Sequence, residues 1–270
     1  MIAKSRELGA DQVMLDLEDS VAAGDKDEAR RTAVVELERG GWGERIVSIR
    51  VNAVGTAPGE RDLEAVASVS ASIDSVVIPK AESVEHLRVI ADAIPNVGLE
   101  ALIETATGLV EVEAIASATD RVEALVFGPI DLAASLGVPA LDDRPVEGGD
   151  VWHYARMRIL VAARAVGAFA IDGPVVALED EERVRSSAAL ARAHGYDGKW
   201  VIHPSQIAIV NEVFSPTEAE IRAAQEILDA LRGDPAGRGA VVMDGAMVDE
   251  ASRRAAERVL ARARGAAPST

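Results

Sequence analysis

Short apolar runs alternate with amphipathic helical segments through residue 202 of the chain. Seven of these runs read as β-strands, near residues 12, 46, 75, 99, 124, 168 and 198, and the last is predicted to span residues 198–202. Among the helices between them, the spacing predicts 26–39, 62–70, 109–118 and 181–194. Regular strand–helix units favour an α/β fold of the TIM type, a (β/α)8 barrel, over an open doubly wound sheet. A barrel needs eight strands, and the chain begins inside a helix. We therefore expect the first strand to be missing before residue 1, the alternative being an incomplete barrel or one closed in another way.

The pattern changes after residue 214. A helix start at Ser215 is followed by a Gly/Pro linker over residues 233–239, an apolar strip and a final amphipathic helix. An Asp-, Gly- and Pro-rich stretch at residues 142–149 reads as a loop within the barrel portion. We expect residues 1–214 to form the barrel. Residues 215–270 are too few to fold alone, and we expect a C-terminal helical lid or oligomerisation segment there.

Composition excludes several functional classes. The net charge of −17 argues against nucleic-acid binding, which needs a basic face. The chain contains no cysteine, so it has neither disulfides nor a thiol nucleophile, which is compatible with a reducing, cytoplasmic setting. No apolar run approaches the length of a membrane span. Walker, GxGxxG, GxSxG and HExxH motifs at the required positions are also absent from the sequence.

Two carboxylates stand out in the stretch from Gly98 to Leu132. Glu104 follows one apolar run directly, and Asp131 follows the next run after Gly128-Pro129. Because parallel strands end at the same edge of a sheet, we expect both carboxylates there. Two converging carboxylates suit Mg²⁺, which takes oxygen ligands and keeps positions open for water or substrate. Alternatively, each carboxylate caps the helix that follows it.

Other charged residues follow predicted strands as well. Glu18 and Asp19 close the first strand and either support a metal and its waters or cap a helix. Arg50 is a lone cation at the end of an apolar strand and is suited to clamp a carboxylate through two hydrogen bonds. The alternative for Arg50 is an ion pair with Asp19 or Glu104, and both roles are compatible.

Several polar residues have weaker signals. Asn52 is placed to donate to a substrate, although Asn at a strand end is also ordinary turn chemistry. Lys80, after Pro79, is a candidate charge at the sheet edge. His203 is interpreted as structural. The remaining histidines occupy predicted ordinary helix positions, namely His86, His153 and His194.

Six spaced segments resemble one enzyme family along nearly the whole chain. They are LDLEDSVAAGDKDEAR, SIRVN, VVIPKAE, LIETATGL, FGPIDLAASLG and WVIHPSQI. They resemble the citrate lyase β-subunit-like branch of the HpcH/HpaI aldolase family, which comprises acyl-CoA lyases. The resemblance implies a (β/α)8 barrel with a C-terminal lid, usually assembled as trimers or hexamers. Members of the family open with a strand of the type RSxLFxPG whose basic residues help bind coenzyme A, and this chain begins after that strand.

The resemblance also implies roles for individual residues. It assigns Glu104 and Asp131 to Mg²⁺ and Arg50 to the carboxylate of a 2-oxo acid. It assigns Glu18 and Asp19 to ordering metal-bound water and Arg50. Coenzyme A then enters as part of the substrate.

A further residue, Asp249 in the MVD of the tail, matches the acid that lyases of this branch deliver from a neighbouring subunit. Residue spacing alone does not single out Asp249. The activity that the resemblance implies is Mg²⁺-dependent cleavage or formation of a malyl-, citramalyl- or citryl-type CoA thioester. The alternatives are a pyruvate-type aldolase that works without coenzyme A and a non-catalytic ligand-binding paralogue.

Overall fold

The computed structural model describes residues 2–138, 150–233, 240–243 and 245–265. The predicted loop at 142–149 and residues 234–239 of the predicted linker lie outside the described residues. Packing divides the chain into two compact units, Met1–Val210 and Asn211–Thr270.

The first unit is built on a parallel sheet of seven strands in sequential order, β1 to β7. They are β1 Gln12–Asp16, β2 Ile46–Arg50, β3 Ser75–Ile78, β4 Gly98–Ile103, β5 Val122–Phe127, β6 Phe169–Asp172 and β7 Gly198–Lys199. Each strand pairs in parallel with the next, and no pairing joins β7 to β1 among the described residues. The sheet confirms the expected barrel-type fold with one strand fewer than a closed barrel needs.

The strands are apolar because both faces of the sheet are covered. All residues of β3 and β4 are buried. Val77, Leu102 and Val126 form one apolar cluster from β3, β4 and β5. Partly buried side chains from β1, from β6 and from the residue after β7 pack against it, namely Met14, Ile171 and Trp200. Side chains alternate between the faces of a strand, so Glu100 lies on the same face of β4 as Leu102.

Helices precede, connect and follow the strands of this sheet. They are α1 Ile2–Ser5, α2 Lys26–Arg39, α3 Ala57–Ser68, α4 Val84–Ala93, α5 Ala106–Val110, α6 Val112–Ala116, α7 Pro129–Leu136, α8 His153–Val166, α9 Glu181–His194 and α10 Ile207–Phe214. The last of these crosses the boundary between the two units. No helix in the described parts of the chain combines the length and apolarity needed to cross a membrane.

Two helix predictions need correction. The α3 segment was expected to begin at Asp62, yet it begins at Ala57, because the Thr56 hydroxyl accepts a hydrogen bond from the Gly59 amide and caps the helix. The helix expected between the carboxylates is two short helices, α5 and α6, separated at Glu111. The strand expected to continue to residue 202 ends at Lys199.

In its described residues, the second unit contains the end of α10, two further helices and a β-hairpin. Helix α11 spans Glu218–Arg232, and α12 spans Glu250–Gly265. Strands β8 Val241–Met243 and β9 Ala246–Val248 pair antiparallel. Thr217 and Glu220 form a capping box at the start of α11. The helices pack through a small apolar cluster, which includes Ala224, Leu228 and Ala256.

Candidate active site

Charged side chains from successive strands gather at the carboxyl edge of the sheet. Asp16 and Arg50 are the last residues of β1 and β2, and they are direct partners in the register of these strands. Lys80 follows β3 by two residues, and Glu104 follows β4 directly. Asp131 lies in the first turn of α7, after β5. We call these five residues, together with Glu18 and Asp19, the rim site.

Arg50 is held by Asp16. Its Nε donates to Asp16 Oδ1 at 2.7 Å, and its Nη2 donates to Asp16 Oδ2 at 2.6 Å. Arg50 Nη1 also lies 3.1 Å from Glu18 Oε2, without the alignment of a hydrogen bond. Burial alone would raise the pKa of Asp16, but the hydrogen bonds and charge of Arg50 lower it to about 2. The guanidinium is therefore fixed beside an ionised carboxylate.

Lys80 connects the acidic residues of the rim site. Its ammonium donates to Glu18 and lies 3.4 Å from Asp19 Oδ2 and 3.9 Å from Glu104 Oε1. Its backbone has φ +46°, an unusual conformation for a residue with a side chain, and its N–H donates to Glu104 Oε1 at 2.9 Å. Burial by itself lowers the pKa of Lys80, but the neighbouring carboxylates outweigh it and raise that pKa. Lys80 therefore places a positive charge among the acidic residues of the rim site.

Glu104 is a buried acid of the rim site with a raised pKa. It is 2% exposed, and its pKa is raised to about 8, chiefly by burial. The charges of Asp131 and Glu18 contribute to this increase, while the hydrogen bond and charge of Lys80 oppose it. A buried carboxyl of this kind is stabilised in its ionised form when a cation binds beside it.

Gly128 leaves room for the side chain of Glu104. A Cβ at Gly128 would lie 2.4 Å from Glu104 Cβ and 2.9 Å from Glu104 Oε2, so a side chain there would displace the carboxylate. The Gly128 amide donates to the Ile103 carbonyl at 3.0 Å, which ties the turn after β5 to the end of β4. Glycine is thus required where the two strands bring their acids together.

The rim site fits a hard divalent cation. Glu104 and Asp131 are carboxylates near enough for the charge of one to raise the pKa of the other. Glu18 adds a third carboxylate, which is 4% exposed and pairs with Lys80. Carboxylate oxygens are the protein ligands that Mg²⁺ prefers. These residues therefore satisfy the chemical requirements of a magnesium site.

Asn52 is held by internal contacts. Its carboxamide nitrogen donates to the Leu17 carbonyl at 2.8 Å and to Asp62 at 2.6 Å. Asp62 is fully buried and also accepts from Arg30 Nε at 2.7 Å. Asn52 thus positions the turns after β1 and β2, and the predicted contact with substrate stays a prediction.

Asp249 belongs to the second unit. Its carboxylate accepts hydrogen bonds from the amides of Ala251 at 2.9 Å and Ser252 at 3.2 Å, so it caps α12. This contact gives Asp249 a structural role, and the catalytic role implied by the resemblance stays a prediction.

Two residues of the rim site, Asp16 and Lys80, have contacts that the sequence pattern does not predict. Asp16 begins the acidic run Asp16-Leu17-Glu18-Asp19, but the sequence pattern does not mark it as the partner of Arg50. The available signal was its position as the last residue of a strand that pairs in parallel with the strand ending at Arg50. Lys80 was noted as a candidate charge, but its contact with Glu18 depends on a backbone conformation that composition does not reveal.

Comparisons with known proteins show what the chain is similar to. Residues 1–204 match the profile of the family described as HpcH/HpaI aldolase/citrate lyase. An L-malyl-CoA/β-methylmalyl-CoA lyase from Rhodobacter capsulatus is 37% identical over 284 residues, covering 96% of this chain and 89% of that protein. A (3S)-malyl-CoA thioesterase from Cereibacter sphaeroides is 38% identical over 263 residues, covering 97% of this chain and 90% of the relative.

A solved structure is also similar. It is the crystal structure of the protein CitE from Mycobacterium tuberculosis in complex with magnesium, acetoacetate and coenzyme A. The TM-score is 0.78 at 36% sequence identity, and the match covers 94% of this chain and 90% of that chain. From the extent of the profile match and the identity of these relatives, we conclude that the chain belongs to the HpcH/HpaI aldolase/citrate lyase family.

Proposed function

We propose that the chain is a Mg²⁺-dependent carbon–carbon lyase that converts a malyl-, citramalyl- or citryl-type CoA thioester into a 2-oxo acid and an acyl-CoA, or catalyses the reverse condensation. The observation that carries this proposal is the placement of the buried Glu104 beside the charges of Asp131 and Lys80, at the strand edge that also holds Arg50. The similarity to an L-malyl-CoA/β-methylmalyl-CoA lyase supports this proposal.

Glu104 and Asp131 would hold Mg²⁺, with Glu18 and Asp19 available to its water ligands. Bound there, Mg²⁺ would supply Lewis acidity and a template for the oxo acid. Lys80 would offset the remaining negative charge of Glu18 and keep the carboxylates in place.

Arg50 would bind the carboxylate of the oxo acid. A guanidinium has five N–H donors, and Asp16 takes one from Nε and one from Nη2. The edge formed by the other hydrogens of Nη1 and Nη2 can still receive a carboxylate through two hydrogen bonds. Asp16 would thus orient Arg50 and still leave N–H donors of the guanidinium for the oxo acid. Asn52 would hold the adjoining turn.

Asp249 would act as the base of the condensation. Its carboxylate would take a proton from the methyl carbon of the acyl-CoA and, once protonated, return it to that carbon during cleavage. Residues 215–270 would form the lid that carries Asp249 to a neighbouring subunit of a homotrimer or homohexamer and excludes water. We further propose a cytoplasmic setting, which the absence of cysteine supports.

Hydrolysis of the thioester is a second candidate function. It is favoured by the similarity to a (3S)-malyl-CoA thioesterase, which is as close in identity as the lyase. The two activities differ in their products, because hydrolysis releases free coenzyme A and a hydroxy acid, whereas cleavage releases an oxo acid and an acyl-CoA.

The test is turnover of malyl-, citramalyl- and citryl-CoA, with and without Mg²⁺, by the chain and its Asp249→Asn variant. Asparagine also caps helices well, so the variant keeps the contact at α12. Asp229→Asn, an exposed change on α11, is the matched control. We expect Mg²⁺-dependent release of an oxo acid that is lost in Asp249→Asn alone. Free coenzyme A as the main product would favour the thioesterase. Release of an oxo acid from a hydroxy acid that carries no coenzyme A, assayed beside the thioesters, would favour the pyruvate-type aldolase. A folded protein that binds Mg²⁺ but turns over none of these substrates would favour a ligand-binding paralogue.

A further inference from the structure

Three side chains outside the rim site bring metal-binding atoms together. Asp150 precedes α8, His153 is its first residue, and His194 is the last residue of α9. One ligand atom from each lies within 4.8 Å of the other two. All three residues belong to the first compact unit. The sequence predicted ordinary helix positions for both histidines, and only the tertiary fold joins them.

His194 presents a lone pair toward His153. The ring Nδ1 of His194 lies 2.8 Å from the Leu190 carbonyl, which only accepts, so Nδ1 carries the hydrogen. In the neutral ring, Nε2 then holds the lone pair, and it lies 2.9 Å from Nδ1 of His153. The side chain of His194 is only 10% exposed. A nearly buried acceptor is therefore held toward a second imidazole.

Asp150 supplies a fixed carboxylate to the same point. Arg156 Nη1 lies 2.9 Å from both of its oxygens, and the Trp152 amide donates to Oδ1 at 2.9 Å. Oδ2 lies 3.9 Å from His194 Nε2. A carboxylate has about four lone-pair sites, so these contacts leave capacity on Oδ2 for a metal. Arg156 is itself buried and paired with Asp172 at 3.2 Å, which fixes its position.

We propose that Asp150, His153 and His194 form a binding site for a divalent transition-metal ion of the zinc class, separate from the magnesium site. Two imidazoles and one carboxylate suit Zn²⁺, whereas Mg²⁺ takes oxygen ligands. Metal–ligand bonds of about 2.1 Å in a tetrahedral site place ligand atoms about 3.4 Å apart. The observed separations of 2.9 and 3.9 Å bracket that value. His153 is exposed, so water can reach the fourth position.

The surrounding contacts fit this assignment. Ligating histidines commonly donate the other ring N–H to a carbonyl, as His194 does to Leu190, and ligating carboxylates are themselves hydrogen-bonded, as Asp150 is to Arg156. The ion would connect the residue before α8 to the end of α9. Its role is to stabilise these connections, because none of its ligands belongs to the rim site.

The experiment adds Zn²⁺ to untagged, chelator-treated protein in excess Mg²⁺, removes the free metal and measures the zinc that the protein retains. We expect one retained Zn²⁺ per chain and at least a roughly tenfold weaker affinity in His153→Ala and His194→Ala. His86→Ala, a change on α4, is the matched control and should keep the zinc. Glu104→Gln should also keep it while losing Mg²⁺ binding, which separates this proposal from the proposed function.

A second measurement follows thermal unfolding. Zinc should raise the melting temperature of the parent chain and of His86→Ala, but not that of His153→Ala. Because His153 is exposed, we expect His153→Ala to fold, and this variant keeps the test valid even if His194→Ala does not fold. Zinc retention that is unchanged in His153→Ala, or that is lost in Glu104→Gln instead, would overturn the proposal, and so would the absence of retained zinc. The last result would leave a hydrogen-bonded imidazole pair.

Discussion

Asp16 and Arg50 end neighbouring strands in direct register and share two hydrogen bonds of 2.7 and 2.6 Å. Parallel pairing alone brings their backbones together, since the last residue of β1 faces the last residue of β2. Asp16 occupies the edge of the guanidinium formed by Nε and Nη2, and the proposed oxo-acid contact uses the edge formed by Nη1 and Nη2. The geometry that would recognise an oxo acid therefore depends on a residue that need not contact the ligand.

This dependence is tested by Asp16→Asn. An amide offers Arg50 only one acceptor and no charge, so the guanidinium loses its fixed orientation. We expect KM for the oxo acid in the condensation reaction to rise by roughly tenfold, the effect of losing about one charged hydrogen bond. Asp11→Asn, an exposed change just before β1, is the control. An unchanged KM in Asp16→Asn would show that Arg50 needs no such support.

Magnesium affinity should depend on pH through Glu104. Burial, with repulsion from Asp131, raises the pKa of this carboxyl to about 8, so a proton competes with the metal below that pH. We expect the Kd for Mg²⁺ to fall as the pH rises toward 8 and then to level off, measured by calorimetric titration from pH 6 to 9. A flat profile over this range would contradict the assignment of Glu104 as a ligand.

The stability of the metal-free protein should change in the opposite direction. The folded-state pKa of Glu104, about 8, lies above its ordinary value of 4.5, so the folded state binds more protons between these values. The contribution of Glu104 to stability is therefore present below about pH 4.5 and is lost as the pH rises to about 8. Glu104→Gln should flatten this part of the profile of melting temperature against pH. Mg²⁺ should restore stability at pH 8 in the parent chain only.

Gly128→Ala tests the close approach of the two strand ends. The new Cβ would meet Glu104 Cβ at 2.4 Å and displace the carboxylate. We expect Mg²⁺ affinity to fall by roughly tenfold or more, comparable to the loss of a residue that orients a metal ligand. Gly24→Ala is the matched control, since nothing lies within 4 Å of its added Cβ. Equal metal affinities in the two variants would disprove the steric argument.

Local sequence signals were sufficient for much of the fold. Helices α2 and α9 have the predicted bounds, because acidic first turns and glycines after the last turn mark them. Helix α3 was predicted to begin too late, because Pro58 and Gly59 read as loop residues although Pro is favourable in a first helical turn. The barrel class followed from the strand–helix alternation, which the parallel sheet confirms.

The candidate site was less accessible to sequence reasoning. Strand ends indicated Glu104, Asp131 and Arg50 because parallel strands share one edge. The contact between Lys80 and Glu18 joins residues far apart in the chain and depends on a positive φ that no local pattern marks. The proximity of His153 and His194 likewise arises from the packing of separate helices.

The most direct test of the central claim is the Mg²⁺ dependence of oxo-acid release from the same three CoA thioesters at pH 8, compared between the parent chain and Glu104→Gln. We expect saturable, Mg²⁺-dependent release by the parent chain. We expect a loss of roughly 100-fold or more in kcat/KM for Glu104→Gln, with the fold retained by circular dichroism. Turnover in Glu104→Gln equal to that of the parent chain, with the same dependence on Mg²⁺, would contradict the assignment of the rim site as the magnesium-dependent lyase centre.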